Sequence, residues 1–545
     1  MALLTAVRQH QAGDLDAAAA AYARILAREP EHADALHLSG LIAYQRGDHP
    51  RAVELIGKAI RRNPRSAAYH SNLGSALLAM DRAVEAATAF HRALALDPAH
   101  ADAHNNLGNI LMRENRPGEA EAAYRRALAV RPGYAVGWNN LGGALRRQGK
   151  LDAAAVAYRE ALKLAPGYVG ALCNLGRVLH EQARYEEALA HYDQALALDP
   201  NHAESHANRA TLLLLLGRFA EGWREYEWRW RVKEFAGARR DAAPRHFCKP
   251  LWDGGDLAGR RVFIHAEQGL GSAIQFVRYI PLIAARGGRV VLECQPPLRR
   301  LFGSLKGAAP GGAGEIDLIG KGETPPPFDV QAPLMSLPRI FATDAATIPA
   351  AVPYLGVDAA LAESWGRRLA AWPRPRVGLV WAGNPRHEND ANRSMPAAAL
   401  APLVERRSLS LFSLQVGAGA ADNAWLAGGP AHDLAPALTD FAETAAALAH
   451  LDLVISVDTA VAHLAGALAR PVWLLTPYVA EWRWMLERAD SPWYPTMRLF
   501  RQSAPGDWPE LIARVAAAMP DTLAEVGARA ETEALAEAAV TDGRR

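Results

Sequence analysis

Five glycines in the first half of this chain recur at one interval of 34 residues: Gly40, Gly74, Gly108, Gly142 and Gly176. The prolines Pro30, Pro64, Pro98, Pro132, Pro166 and Pro200 keep the same beat, and so do Ala18, Ala52, Ala86, Ala120, Ala154 and Ala188. A fixed period of this length marks a stack of like supersecondary units, each burying its apolar face against its neighbours. In the unit around Gly108, Leu107 and Gly108 lie in a first helix. Ala120, Tyr124 and Ala127 lie in a second, and Asp97-Pro98 precedes both. Glycine and alanine let two helix axes approach, and proline stops one hairpin before the next begins. Residues 1–235 therefore read as about six to seven helical hairpins. The first unit departs with Ala6 at the glycine position. The last has Ala210 there and Gly222 at the alanine position, as expected of units that face water or another domain.

This period and pattern resemble the tetratricopeptide repeat, a superhelical array with a long concave surface that holds peptide and has no chemistry of its own. Asn72, Asn106, Asn140, Asn174 and Asn208 each precede the repeat glycine position by two, so they leave their helices in one direction. The series is similar to the asparagine ladder of the nucleocytoplasmic O-linked N-acetylglucosamine transferases, which implies a groove for the backbone of an extended protein acceptor. An amide carries donors and an acceptor, so it pairs with backbone whatever the side chains. Asn-Leu-Gly is also common repeat consensus, and both readings stand.

The chain has 545 residues, which suits about two to four domains. Its net charge of +2 gives no global attraction to nucleic acid. Cys173, Cys248 and Cys294 are far apart and show neither metal spacing nor a disulfide framework, which points to a reducing cytoplasm. No secretory leader is read at the start, and the longest apolar run, 211–216, is too short to span a bilayer. A junction is expected over 236–257. Just before it, the aromatics Trp223, Tyr226 and Trp230 have helical spacing, with Trp228 off the stripe. They read as packing of the last repeat helix onto the next domain.

From about residue 258 the period changes. Short runs rich in β-branched residues (261–266, 289–294, 316–319, then 377–381, 409–415, 453–457, 472–475 and 498–500) alternate with helical stretches (274–285, 396–406, 440–450, 459–469). The runs 307–314 and 324–327 read as loops. Alternating strand and helix argue for parallel sheets. Two such blocks, 258–370 and 371–520, suggest paired Rossmann-like domains facing a cleft. Residues 521–545 read as an Ala/Glu-rich helix or frayed tail.

The strongest local signal is Leu453-Val-Ile-Ser-Val-Asp458-Thr459-Ala-Val-Ala-His463-Leu-Ala-Gly466. A buried strand ends at Asp458 and a helix opens directly after it. The free N–H groups and dipole of a helix start form an anion site. Thr459 adds a hydroxyl, and His463 lies one turn in; pyrophosphate suits such a place. Asp458 as a simple cap and His463 as a core residue fit the residues equally well.

This segment resembles the Asp-Thr-x-x-x-His-Leu motif of glycosyltransferases related to the lipopolysaccharide heptosyltransferases. Glu267-Gln-Gly-Leu-Gly271, Trp381-Ala-Gly-Asn-Pro385, Asp390–Ser394 and Trp493-Tyr494 extend the likeness over about 258–510. It implies the GT-B fold, two Rossmann-like domains across a cleft, with the nucleotide-sugar diphosphate held in the C-terminal one and inversion at the anomeric carbon. Repeats fused to such a domain are similar to bacterial flagellin glycosyltransferases, which implies a protein acceptor and a nucleotide-sugar donor. Gly269, Gly271, Asn384, Arg393, Ser394, Asp458, Thr459 and His463 are then the expected donor and phosphate ligands. Arginine suits phosphate because its fork is planar and always charged. No metal or other cofactor is expected, since a helix start and arginine can stabilise the leaving phosphate.

One position departs from the resembling family. An aspartate follows the second glycine of its turn and acts as general base; here Ser272 stands there. A serine hydroxyl takes no proton near neutral pH without a partner. Either Glu267 or His265 supplies the base, Glu267 being favoured because it lies at the strand end facing the expected cleft, or the domain is a poor or dead catalyst. Trp482 and Trp484, next to Glu481 and Arg483, suit stacking on sugar or base and suit domain packing equally. Asp440-Phe-Ala-Glu443 fits a capping box. The reading that gathers these features is a cytoplasmic transferase moving a sugar to a protein hydroxyl. The alternatives are a degenerate repeat scaffold and a repeat protein of secretion or assembly.

Overall fold

The computed structural model describes residues 2–232, 249–307, 316–385, 387, 389–405, 408–417, 419–429 and 431–519. The tail 521–545, most of the junction 236–257 with Cys248, and most of the loop 307–314 lie outside the described residues. The chain divides into two compact units, Met1–Ser205 and His206–Arg545.

The first unit contains helical hairpins, for example Ala101–Arg113 with Pro117–Val130 and Ala135–Arg147 with Leu151–Leu164. The glycine series sits where the two helices of a hairpin cross. A methyl group on Gly108 would lie 2.5 Å from Tyr124, on Gly142 2.7 Å from Tyr158, and on Gly176 2.6 Å from Tyr192. Each glycine is thus a socket for the ring sixteen residues on. Nothing larger fits, because cores are close-packed and a clash forces rotamer or backbone shifts. The matching alanines, Ala18 to Ala188, are fully buried. Some helix starts are capped by side chains, among them Asp14 accepting from the Ala17 N–H at 3.0 Å and Asp48 from the Arg51 N–H at 3.1 Å, while others, such as Pro117–Val130 and Leu151–Leu164, are not.

In the second unit the hairpin helix Phe219–Tyr226 explains the irregular last repeat. A methyl on Gly222 would lie 2.7 Å from Leu214, so the small residue has changed helices while Ala210 takes the former glycine place. Trp223 is buried as expected from its stripe. Its Nε1–H donates to the Thr343 carbonyl at 3.0 Å, and its ring meets Phe276 and Trp482 edge-on.

Two parallel sheets come next. The first contains β1 (Arg261–His265), β2 (Arg289–Cys294), β3 (Ile316–Gly320) and β4 (Val330–Pro333), in the order β3-β2-β1-β4. The second contains β5 (Arg376–Val380), β6 (Ser410–Ser413), β7 (His432–Asp433), β8 (Leu453–Val457), β9 (Val472–Thr476) and β10 (Met497–Arg501), in the order β10-β9-β8-β5-β6-β7. Strands β8 and β9 are buried throughout, as sheets covered on both faces require. The second order is that of a dinucleotide-binding Rossmann sheet, and strand order reverses between β5 and β8. In the first sheet it reverses between β1 and β4. The fold class read from the sequence, a tetratricopeptide-type α array followed by two Rossmann-like α/β sheets, is the one observed.

Differences are local. β4 and β7 are not expected from the residues: Val-Gln-Ala-Pro has no apolar run, and β7 has two residues. The helix expected over 274–285 begins at Leu270 and passes through a 3-10 turn at Val277–Tyr279. That expected over 396–406 is a 3-10 turn followed by the helix Ala401–Val404. Asp440 caps its helix, accepting from the Ala442 and Glu443 N–H groups. Glu443 does not close the capping box; its carboxylate accepts from Trp365 Nε1–H at 2.8 Å.

Candidate functional site

The strand-order reversal of the second sheet gathers two loops. β8 ends at Val457, Asp458 follows, and the helix Ala460–Ala467 opens with Thr459 as its N-cap. Thr459 makes no side-chain cap bond at that helix start. The Thr459 hydroxyl lies 3.0 Å from that of Ser456. β5 exits into Trp381-Ala-Gly-Asn384, where Gln415 Oε1 accepts from the Trp381 and Ala382 N–H groups at 3.2 and 3.0 Å. The Gly383 N–H donates to Ser394 Oγ at 2.9 Å, which folds the next loop back over the strand end. That fold-back delivers Arg393. Its Nη1 donates to the Asp458 carbonyl at 3.2 Å, and its Nε donates to Asp390 at 3.1 Å. A methyl on Gly383 would lie 2.5 Å from Arg393 Nη2, so this glycine makes room for the guanidinium. Arg393, Ser394, Asp458 and Thr459 are therefore brought together, and Asn384 is exposed in the loop after β5. A cation beside a helix start is the arrangement a diphosphate needs.

The same helix meets the first sheet's leading turn. Gly269 is the N-cap of the helix Leu270–Phe276. A methyl on Gly271 would lie 2.9 Å from the His463 ring and 3.5 Å from Ala460 Cα. This glycine therefore permits helix contact; the structure places it against His463. His463 is buried, its Nδ1 2.9 Å from Tyr494 Oη and its ring stacked on Trp484. Burial, with Arg483 and Arg278 nearby, holds its pKa well below the ordinary value, so the imidazole is neutral. Arg278 fastens the contact, donating to the Trp493 carbonyl at 2.6 Å and to Tyr354 Oη at 3.0 Å.

Ser272, at the position of the family aspartate, donates to Gln268 Oε1 at 3.3 Å and accepts from Arg483 Nη2 at 3.0 Å. The two candidate bases are elsewhere. His265 is buried, its Nε2 3.0 Å from Gln331 Oε1. Glu267 does not face an open cleft. Its side chain is 2% exposed, and Oε1 accepts from Arg229 Nη2 at 2.9 Å and from the Met335 N–H at 3.2 Å. Burial lifts its pKa to about 7 against the pull of Arg229. Glu267 thus ties the end of β1 to the residues after β4 and to the 3-10 turn Glu227–Arg231.

Trp482 and Trp484 offer no open stacking face, since both are buried. Trp482 packs among Trp223, Phe276 and Trp493, and Trp484 Nε1–H donates to Asp458 Oδ2 at 3.0 Å. Their faces are covered by protein, so they serve packing and the orientation of Asp458. The polar residues beside them reach the site instead. Arg483 donates to Ser272, Gln275 and Glu481. Sequence reasoning leaves Glu481 and Arg483 as neighbours of aromatic rings and gives Arg229 and Arg278 no part; their partners are too distant in sequence to leave a local signal.

In the first unit the asparagines pair with side chains of the preceding repeat. Asn72 Nδ2 lies 2.8 Å from His37 Nε2, and Asn106 Nδ2 donates to Ser75 Oγ at 3.3 Å. Asn140 donates to Asn105 at 3.0 Å and Asn109 at 3.2 Å, and Asn174 donates to Asn139 at 3.0 Å. Each amide thus reaches back one repeat. All four stay part-exposed. At Asn208, in the second unit, the backbone carbonyl accepts from Thr211 Oγ1 at 2.9 Å.

Among the described residues, no group of three or more His, Cys, Asp or Glu side chains is gathered as a metal site, and no helix is long and apolar enough to cross a membrane.

Hairpin repeats come ahead of two Rossmann-like sheets, and known sequences match parts of both. Residues 5–67, 38–101, 72–135 and 105–169 match the tetratricopeptide repeat family, as do 157–190 and 176–217. Residues 418–476, which contain β8, Asp458, Thr459 and His463, match glycosyltransferase family 9 (heptosyltransferase). The chain thus contains tetratricopeptide-repeat sequence over about 5–217 and, over 418–476, sequence that matches a glycosyltransferase family. It is similar to Protein FlbA of Caulobacter vibrioides (strain ATCC 19089 / CIP 103742 / CB 15), 29% identical over 333 residues, 56% of this chain and 53% of FlbA. The chain therefore spans about half the length of that relative. Among solved structures, MamA is 28% identical over 29% of this chain and 93% of that chain, TM-score 0.27. PilF of Pseudomonas aeruginosa is 23% identical over 37% and 90%, TM-score 0.33.

Proposed function

We propose that this protein is an inverting glycosyltransferase that moves a sugar from a nucleotide-sugar to a hydroxyl of a protein acceptor captured by the repeats, with flagellin as the acceptor that the family resemblance suggests. One observation carries the reading: Arg393 lies on the Asp458 carbonyl at the uncapped start of the helix Ala460–Ala467, at the β5/β8 reversal. The diphosphate of the donor binds the helix N–H groups, Thr459 and Arg393. The same groups stabilise the charge that develops on the leaving phosphate, so no metal is invoked.

The test is thermal stability of the whole chain against ADP-heptose, UDP-glucose, UDP-N-acetylglucosamine, GDP-mannose, CMP-sialic acid and the free nucleotides. A ligand at one hundred times its Kd adds about 2.7 kcal/mol. A shift with one donor, lost in Arg393→Ala, supports the reading; no shift with any of them sinks it.

Ser272 favours a second reading, a repeat scaffold that binds the donor without turning it over. Its hydroxyl is held between Gln268 and Arg483, an amide and a cation that take no proton from it. Donor binding without transfer or hydrolysis is the outcome that selects the scaffold.

A further inference from the structure

We propose that Glu481 is the group that takes the proton from the acceptor hydroxyl, standing in for the aspartate that Ser272 replaces. The inference rests on the transferase reading above. Ser272 and Glu481 flank one guanidinium: Arg483 donates Nη2–H to Ser272 Oγ at 3.0 Å and Nη1–H to Glu481 Oε1. The carboxylate missing from the turn after β1 is therefore supplied from the loop after β9, on the other side of the same cation.

Comparison of Glu267, Asp458, Asp390 and Glu481 selects the last. The Glu267 side chain is 2% exposed and sealed by Arg229, and that of Asp458 is 15% exposed with Oδ2 held by Trp484. That of Asp390 is 14% exposed and paired with Arg393. Glu481 is 33% exposed and is the most open of the four. Its Oε2 accepts from the Arg483 N–H at 3.0 Å, which fixes the carboxylate at the start of the 3-10 turn Trp482–Trp484. The charged groups that act on it are Arg483 and Asp458. Desolvation lifts its pKa to about 7, Arg483 opposes the rise and Asp458 adds to it, and a general base works best when poised near the operating pH.

In the transfer step the acceptor oxygen forms a bond to the anomeric carbon, and its proton passes to Glu481. The bond from that carbon to the phosphate oxygen breaks, and its electron pair leaves with the nucleotide. Glu481 ends neutral, the leaving phosphate gains one negative charge, and solvent later removes the proton. Arg483 is a positioning residue: it orients Glu481 and ties it to the turn bearing Ser272.

The experiment is Glu481→Gln in the full chain. It uses the donor found in the thermal panel and measures nucleotide release with water as the acceptor, so no protein acceptor is needed. The expected result is a fall in kcat of about 10²- to 10⁴-fold with the donor-induced thermal shift retained. The wild type should lose kcat/KM below about pH 7, where Glu481 is protonated, and the variant should lack that limb. Unchanged turnover with donor binding intact overturns the inference and leaves the transferase reading standing. A wild type that binds no donor overturns both, and one that binds donor without turnover overturns this inference in favour of the scaffold. If the glutamine variant does not fold, Glu481→Asp decides. A fall of about tenfold or more with binding kept supports the role, and full turnover overturns it.

Discussion

The two sheets of the second unit share the strand order around their first strand, yet their crevices hold opposite things. At the β1/β4 reversal the protein fills the space with its own ion pair: Arg229 meets Glu267, and both bond to residues after β4, Ser336 and Met335. At the β5/β8 reversal Arg393 bonds to the loop's own Asp390 and to the Asp458 carbonyl, and the helix start beyond it is uncapped. One topology thus forms a closed joint in one sheet and, in the other, the place where we propose that the donor binds. Topology proposes where a ligand binds; which crevice is already occupied by the chain decides it.

The largest effect that bears on this contrast is expected from Arg229→Met. Removing one partner of a buried pair leaves an uncompensated charge, at a cost of about 3–5 kcal/mol. It is read from urea unfolding. Arg229→Met with Glu267→Gln should lose less than the sum of the single variants, because the two are coupled. Additive losses would break the picture of a closed joint.

Next comes Arg393→Ala. A charge-assisted hydrogen bond is worth about 1.5–3 kcal/mol, so nucleotide binding should weaken about tenfold to a hundredfold while the unfolding midpoint stays near the wild type. A large loss of stability would mean that this crevice too is structural.

A third expected effect is in pH dependence. Glu267 has a folded pKa near 7, above the ordinary 4.5. The unfolded state then holds fewer protons than the native state between those values, so the contribution of this group falls as pH rises through the window. The stability of the wild type relative to Glu267→Gln should be greater at about pH 5 than at about pH 8. Equal differences at both values would show that Arg229 fully compensates the charge.

Much of this architecture is legible in the residues alone. A period of 34 residues locates hairpins because each needs the same small residue at the same crossing, and Gly142 against Tyr158 shows the reason. The Asp458–Thr459 turn is legible because a buried strand passing straight into a helix has few geometries. The short strand Val330–Pro333 is not, since its apolar content is below any pattern. The pairs Arg229 with Glu267 and Arg483 with Ser272 are not legible either. They join residues 38 and 211 positions apart, and only packing brings them together. The reading of Trp482 and Trp484 as open stacking faces fails for the same reason: their covers, Trp223 and His463, come from other elements.

The glycine sockets bear on how such a chain changes over generations. Knob and socket lie in the same hairpin, as Gly108 with Tyr124 and Gly142 with Tyr158 do. An unequal crossover that adds or drops 34 residues, one period, therefore keeps every socket matched to the side chain that fills it, and it leaves each asparagine a polar neighbour one repeat back. The hairpin with Gly222 against Leu214 obeys a different rule and cannot be exchanged with the others. Array length is free to drift in whole cassettes, while the last hairpin stays with the sheets it precedes.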